Sequence, residues 1–236
     1  YADDKALRAG LASIDGQTVM LMGHQKGRTI QEREENTHGM AHPEGYRKAL
    51  RLFQQAEKLH MPVVTLIDTA GAHPGFEDEE RGISQAIAEN LLVMANLRTP
   101  IVCVVIGEGG SGGALGISVG DRILMLENAI YTVASPEAAA SILWRDAAFA
   151  PDAAKAMKIT APDLLQLELI EEIIPEPAGG AHRDHAATAE AVKEAIMRHL
   201  AELRALPVDT LLDTRYTRFR KIGAHSTELV EANTAG

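Results

Sequence analysis

The run Gly107-Glu-Gly-Gly-Ser-Gly-Gly-Ala114 follows the apolar stretch Ile101-Val-Cys-Val-Val-Ile106 without a spacer, and it packs five glycines into seven residues. Bare backbone at a strand end leaves N–H groups without side-chain cover. If a helix begins there, its first N–H groups point outward as unpaired donors. Donors of that kind hold negative charge.

Several chemistries use such a run. Gly107-x-Gly-x-x-Gly112 matches a dinucleotide fingerprint, with Glu127 about 20 residues on, although only about two helical turns fit between Gly112 and Gly120. Gly109-x-Ser111-x-Gly113 matches a nucleophile elbow, with Asp152, His182 and His185 downstream in hydrolase order; no His-Gly-Gly oxyanion segment precedes it. Asp68-Thr-Ala-Gly71 has the Asp-x-x-Gly form of a GTPase switch, but no Gly-x-x-x-x-Gly-Lys-[Ser/Thr] exists to hold the phosphates. A fourth reading is an oxyanion hole. An enolate or tetrahedral oxyanion needs fixed donors about 2.7–3.1 Å from the developing charge. Gly112 and Gly113 can supply them, with Gly71 and Ala72 facing them from a neighbouring strand end. The plain alternative is that these glycines only permit close helix–strand packing.

The elements that must position these residues alternate. Thr18–Met22 reads as a first strand, delivered into Gly23-His-Gln-Lys-Gly-Arg28 and then a charged segment to about Met40. Pro43 suits a helix start, and Tyr46, Ala49, Leu50, Phe53, Ala56 and Leu59 recur at helical spacing. Val63–Ile67 is the next strand and ends at Asp68-Thr-Ala-Gly-Ala-His-Pro-Gly75; a second helix is expected from about Glu80. Met61-Pro62 and Thr99-Pro100 each open the same unit: an apolar run, a glycine-bearing turn, a helix. Alternation with near-continuous apolar strands predicts a mostly parallel, buried sheet with both turns at its carboxyl edge, where open α/β sheets bind ligands. Further on, a short helix to about Val119, strands at Arg122–Leu126 and Ile130–Ala134, and a helix capped by Ser135 with Pro136 at its first position are expected. Helical pieces near 151–157 and 161–168 and a short strand Ile170–Ile174 follow. Helices over about 184–222 close the chain, and their basic end, Arg215, Arg218, Arg220 and Lys221, is expected to face solvent.

The 236 residues bury a full core and are read as one domain, 1–236. Net charge is −10, which disfavours nucleic acid or an anionic membrane as a partner, so an anionic ligand must be met by local design. The single cysteine, Cys103, sits inside an apolar strand; it permits neither an internal disulfide nor a cysteine zinc site. No apolar run approaches the ~18 residues of a membrane span. The chain begins at Tyr1 rather than Met.

Ile67-Asp-Thr-Ala-Gly-Ala-His-Pro-Gly75, Glu80-Arg-Gly82, Val105–Leu115, Ser135-Pro-Glu137, Ser141-Ile-Leu-Trp144 and Ile174-Pro-Glu-Pro-Ala-Gly-Gly-Ala-His182 together resemble the carboxyltransferase alpha subunits of bacterial or plastid acetyl-CoA carboxylase. Gly23–Arg28 and Pro43–Leu52 belong to the same pattern, so the resemblance runs from Tyr1 to about Gly223. It implies an α/β crotonase-like fold that moves a carboxyl group from carboxybiotin, on a separate biotin carboxyl carrier protein, to acetyl-CoA, giving malonyl-CoA for fatty acid synthesis. A propionyl-CoA acceptor and a nucleotide-binding regulatory module are the alternatives. It also implies a homologous zinc-ribbon beta subunit, two of each chain, biotin carboxylase in the larger complex, and a cytoplasmic or plastid-stroma setting. No metal is expected in this chain, and a helical segment that usually precedes this start in the family is absent. Carried over by residue, Gly112 and Gly113 polarise the carboxybiotin carbonyl, Gly109 and Gly110 shape the approach, and Gly71 and Ala72 form the pocket wall. Lys26 and Arg28 meet coenzyme A phosphates or the partner chain. Three positions depart from the pattern: Ala70 where Pro is usual, His73 where an aromatic residue is usual, and Ala138-Ala139 in place of Gly-Cys.

Overall fold

The computed structural model describes residues 3–223. In chain order the strands are β1 (Leu7–Ile14), β2 (Gln17–His24), β3 (Val63–Thr69), β4 (Ile101–Gly110), β5 (Arg122–Leu126), β6 (Ile130–Thr132) and β7 (Glu172–Ile174). The α-helices are α1 (Ile30–Glu35), α2 (Pro43–Lys58), α3 (Phe76–Glu80), α4 (Ile83–Asn96), α5 (Ser111–Leu115), α6 (Pro136–Trp144), α7 (Ala150–Met157), α8 (Ala161–Gln166), α9 (His185–Arg204) and α10 (Val208–Lys221). The strands form one sheet in the order β1-β2-β3-β4-β5-β7, with β6 paired to β4 beyond the end of β5. Every pairing is parallel except β1 with β2.

The alternating strand–helix pattern therefore yields the parallel sheet that it predicts, with one addition at its edge. β1 precedes the strand expected to be first and pairs with it as a hairpin through Asp15 and Gly16, both at positive φ (46° and 77°). An Asp-Gly turn between two half-buried runs is a hairpin signal, and this strand is not among those expected. The second expected helix is α4, and a short helix not expected, α3, precedes it: α3 is capped at Arg81, and Gly82, at φ 78°, starts α4 in a new direction. A left-handed residue cannot continue a helix, and glycine adopts that conformation without steric cost.

The core lies between the sheet and its helices. Val63, Val64, Ile67 and Ile101–Val105 are all fully buried, as expected for strands covered on both faces. The inner face of α2 is Tyr46, Ala49, Leu52, Phe53 and Ala56, whereas Leu59 is about half exposed. Burying each large side chain there contributes about 1.5–3 kcal/mol. Ser135 caps α6 as expected, its hydroxyl accepting from the Ala138 N–H at 3.1 Å.

The basic end of α10 corrects its sequence reading. Arg215 is 1 % exposed, and its guanidinium makes five hydrogen bonds: two to Asp121 at 2.8 Å and one each to the carbonyls of Met94, Leu97 and Thr99 at 2.7–3.0 Å. Asp121 in turn accepts the Ile101 N–H at 2.7 Å. The cation thus closes the end of α4 and the start of β4. Arg218 is also mostly buried, on Glu171 and the Leu169 carbonyl. A run of basic residues says nothing about which of them meets an acid 94 positions away.

Candidate active site

β4 does not end at Ile106 but runs on through the glycines to Gly110. The reason is a change of neighbours. β5 pairs only as far as Val105, and β6 then takes over, matching Glu108, Gly109 and Gly110 with Ile130, Tyr131 and Thr132. On the other side the register with β3 shifts, so Thr69 faces Gly109. The helix that opens at Ser111 is only five residues long, with Gly110 as its N-cap. Gly112 and Gly113 are its second and third residues, so their N–H groups precede any intrahelical acceptor.

The two strand-end turns meet, as their placement at one sheet edge predicts. A Cβ on Gly110 would lie 2.0 Å from the Ala70 carbonyl oxygen, and one on Gly113 would lie 2.2 Å from the Gly71 carbonyl carbon. Backbone rests directly on backbone here. Gly107 and Gly109 are also closed in, by Asp68 and by Tyr131. Gly112 and Gly71 differ. The nearest atom to a Cβ on Gly112 is Ile87 Cδ1 at 3.5 Å, and for Gly71 it is Ser111 Cβ at 3.9 Å. Close packing therefore accounts for Gly107, Gly109, Gly110 and Gly113, and does not account for Gly112 or Gly71. Both could take a Cβ in ordinary van der Waals contact; Gly112 is partly exposed, whereas Gly71 is buried.

The wall opposite Gly113 is held by local bonds. Thr69 is fully buried; its hydroxyl donates to the Gly71 carbonyl at 2.7 Å and accepts the Gly71 N–H at 3.2 Å. The Gly71 donor is thus engaged, while the Ala72 N–H has no acceptor among the described residues. Tyr46 Oη donates to the Gly113 carbonyl at 3.3 Å, and Asn90 Nδ2 donates to the Gly116 carbonyl at 3.0 Å. Burial pushes the Tyr46 phenol up, so it stays a neutral donor. Both bonds fix α5 by its carbonyls and leave its leading N–H groups free to act.

Lys26 is ion-paired with Asp68 at 2.8 Å and with Glu108. Burial opposes its charge, but its hydrogen bonds to the two carboxylates outweigh that, and the ammonium is held above its ordinary range. Asp68 also accepts the Glu108 N–H at 3.0 Å, so Lys26 and Asp68 bind the ends of β2, β3 and β4 together. The Arg28 side chain is exposed. The sequence reading gave His24 no role. It is buried at the end of β2, its Nδ1 accepts the Asp68 N–H at 3.4 Å, and its Nε2 has no partner among the described residues. Burial pushes its pKa down to about 4, so it is neutral.

Ser111 sits at φ 50°, a costly conformation for a residue with a Cβ, and its hydroxyl has no hydrogen-bond partner among the described residues. His182 and His185 are exposed, and Asp184 serves as the N-cap of α9. Among the described residues, Ser111 has no base paired with it as a hydrolase nucleophile would.

A family model described as "Acetyl co-enzyme A carboxylase carboxyltransferase-like" matches residues 1–223. The chain belongs to this family of carboxyltransferases. It is 57 % identical over 223 residues to the acetyl-coenzyme A carboxylase carboxyl transferase subunit alpha of Vibrio cholerae, covering 94 % of this chain and 70 % of that one. The same-named protein of Halalkalibacterium halodurans is 55 % identical over 235 residues, covering 99 % of this chain and 72 % of that one. Among solved structures, a Pseudomonas malonate decarboxylase hetero-tetramer in complex with coenzyme A superposes with a TM-score of 0.74 at 18 % identity, covering 99 % of this chain and 90 % of that one. A transcarboxylase 12S structure gives 0.65 at 20 % identity, covering 78 % of this chain and 36 % of that one. At such identities the likeness is one of fold, and the fold is crotonase-like as the family resemblance implies. Ala70, where the family pattern usually has Pro, still places its carbonyl against Gly110; Ala138 and Ala139 lie in the first turn of α6.

Proposed function

We propose that this chain is the alpha half of an acetyl-CoA carboxylase carboxyltransferase, moving a carboxyl group from carboxybiotin to acetyl-CoA to form malonyl-CoA. The observation that carries the reading is the pair Gly112 and Gly113: helix-start N–H groups, the first on a partly exposed residue, within a chain matched to that family over residues 1–223. In this reading the two donors stabilise negative charge on the biotin ureido oxygen as the carboxyl group leaves. Gly109 and Gly110 shape the approach, and the Ala72 N–H is the better of the two wall donors. Lys26 acts mainly by holding the strand ends, and exposed Arg28 is the cation available to a coenzyme A phosphate or a partner chain.

In this reading the released biotin nitrogen accepts the acetyl methyl proton, so the protein supplies position and charge stabilisation rather than a side-chain base. The acyl-CoA half then comes from a beta subunit, the biotin from its carrier protein charged by biotin carboxylase, and the assembly contains two of each carboxyltransferase chain. The setting is the cytoplasm, and no helix among the described residues is long and apolar enough to cross a membrane. The test is malonyl-CoA formation from acetyl-CoA and carboxybiotin with and without a beta subunit, with propionyl-CoA as a competing acceptor. Activity is expected only with both chains; equal activity without the partner sinks the two-chain reading.

A further inference from the structure

His42, His73 and Asp78 come from three separate pieces of chain: the N-cap of α2, the loop after β3, and the middle of α3. His42 Nδ1 lies 2.8 Å from Asp78 Oδ1, and His73 Nδ1 lies 2.5 Å from Asp78 Oδ2. The two imidazoles thus turn the same nitrogen onto one carboxylate, with ring centroids 4.4 Å apart. One donor atom from each of the three residues falls within 4.8 Å of the others. The Asp78 side chain is 2 % exposed, and those of His42 and His73 are 30 % and 29 % exposed, so the cluster is anchored inside and reachable from solvent.

We infer that this triad binds one divalent transition ion of the zinc type, with His42 Nδ1, His73 Nδ1 and the Asp78 carboxylate as ligands and solvent on the open side. Two imidazoles and a carboxylate suit such ions, and hard magnesium or calcium would instead call for oxygen ligands. Tetrahedral bonds of about 2.0–2.1 Å set ligand atoms roughly 3.3 Å apart, so each histidine–carboxylate contact must open by less than about 1 Å. The partly exposed rings can turn that far.

The surroundings favour the same assignment. Arg81 Nη2 donates to Asp78 Oδ1 at 2.5 Å, the kind of outer contact that orients a ligating carboxylate. Its own charge is met by Glu44 at 3.0 Å and Glu77 at 3.6 Å, so it is not a bare cation beside the ion. A Cβ on Gly75 would lie 2.7 Å from Asp78 Oδ2 and 3.0 Å from His73 Nδ1, so a side chain there would crowd the point where those two groups converge. The consequence reaches the candidate active site. The His73 N–H already donates to the Ala41 carbonyl at 3.0 Å, and the loop carrying His73 packs Gly71 and Ala72 against Gly113. An ion would tie that loop to α2 and α3. The cysteine count excludes only thiolate sites and is silent about this one.

The test is titration of the chelator-treated full chain with Co2+, then Zn2+. One equivalent of Co2+ with visible d–d bands, displaced by Zn2+, is expected, with affinity falling at least about tenfold in both His73→Phe and His42→Gln. His73→Phe keeps an aromatic ring in the loop, which favours a folded variant. X-ray absorption of the Zn2+-loaded wild type should show two imidazoles and one carboxylate at about 2.0–2.2 Å, whatever the variants do. No Co2+ bands, uptake equal in wild type and variants, or a different ligand set overturns the inference. The two histidines then simply share Asp78 as hydrogen-bond acceptor.

Discussion

At the carboxyl edge of the parallel strands, the surface offered to a ligand is backbone: glycine N–H groups, a carbonyl pressed on a glycine, and a hydroxyl that braces its own loop. At the amino edge the sheet is closed by side chains, with Arg215 and Asp121 spanning α10, the end of α4 and the starts of β4 and β5. Both regions are polar, but only the amino edge is fully buried, and they answer different demands. A buried guanidinium whose five hydrogen bonds are all made is a structural cross-link, with nothing left for a ligand. The glycine edge is braced through its carbonyls and keeps donors in reserve, which is what charge stabilisation in a transition state requires.

That contrast can be broken from either side. The largest expected effect is at the amino edge: Arg215→Met leaves Asp121 buried without its partner and should cost about 3–5 kcal/mol in denaturant unfolding. An unchanged unfolding midpoint would mean that the cross-link is decorative. At the carboxyl edge, Gly112→Val should lower the transfer rate of the assembled enzyme by about 10²–10³-fold, while the melting temperature stays close to wild type. Gly113→Val should fail differently, by unfolding the loop contact, because its Cβ would overlap the Gly71 backbone. If Gly112→Val melts as early as Gly113→Val, the distinction between packing glycines and donor glycines is lost.

His24 sharpens the comparison through pH. Its pKa is about 4 in the folded chain and near 6.5 when unfolded, so between those values only the unfolded chain binds the proton. Stability should therefore fall as pH drops from about 6.5 towards 4, by roughly 3 kcal/mol in all, and level off below. In His24→Gln that component of the slope should disappear from pH-dependent unfolding curves. The smallest effects belong to Ser111. Ser111→Ala should retain transfer activity within about threefold, where a nucleophile would lose nearly all of it. Ser111→Gly should gain up to about 1 kcal/mol of stability by relieving the left-handed backbone.

Much of this is legible in local pattern. Continuous apolar runs ending in glycine-rich turns specify parallel strands, and two such units place residues 68–75 and 107–114 at one edge. Other features are hidden for identifiable reasons. β1 mixes small, charged and apolar residues with little burial beyond Leu7, so its Asp-Gly turn is the clearest mark of it. The extension of β4 depends on β6 arriving where β5 stops, and a glycine run carries no side-chain periodicity to reveal pairing. His42, His73 and Asp78 are individually unremarkable polar residues in loops and caps; only their convergence makes them a cluster.

The amino-acid sequence by itself determined the alternating architecture, the family and the glycines that present bare backbone, because hydrophobic period, turn chemistry and the absence of a Cβ are local properties. Tertiary structure decided which glycines are pressed against neighbouring backbone and which have room for a Cβ. It also decided which arginine is a buried cross-link and which histidines share a carboxylate. Those distinctions depend on distances between chain segments far apart in sequence, and only the folded core sets such distances.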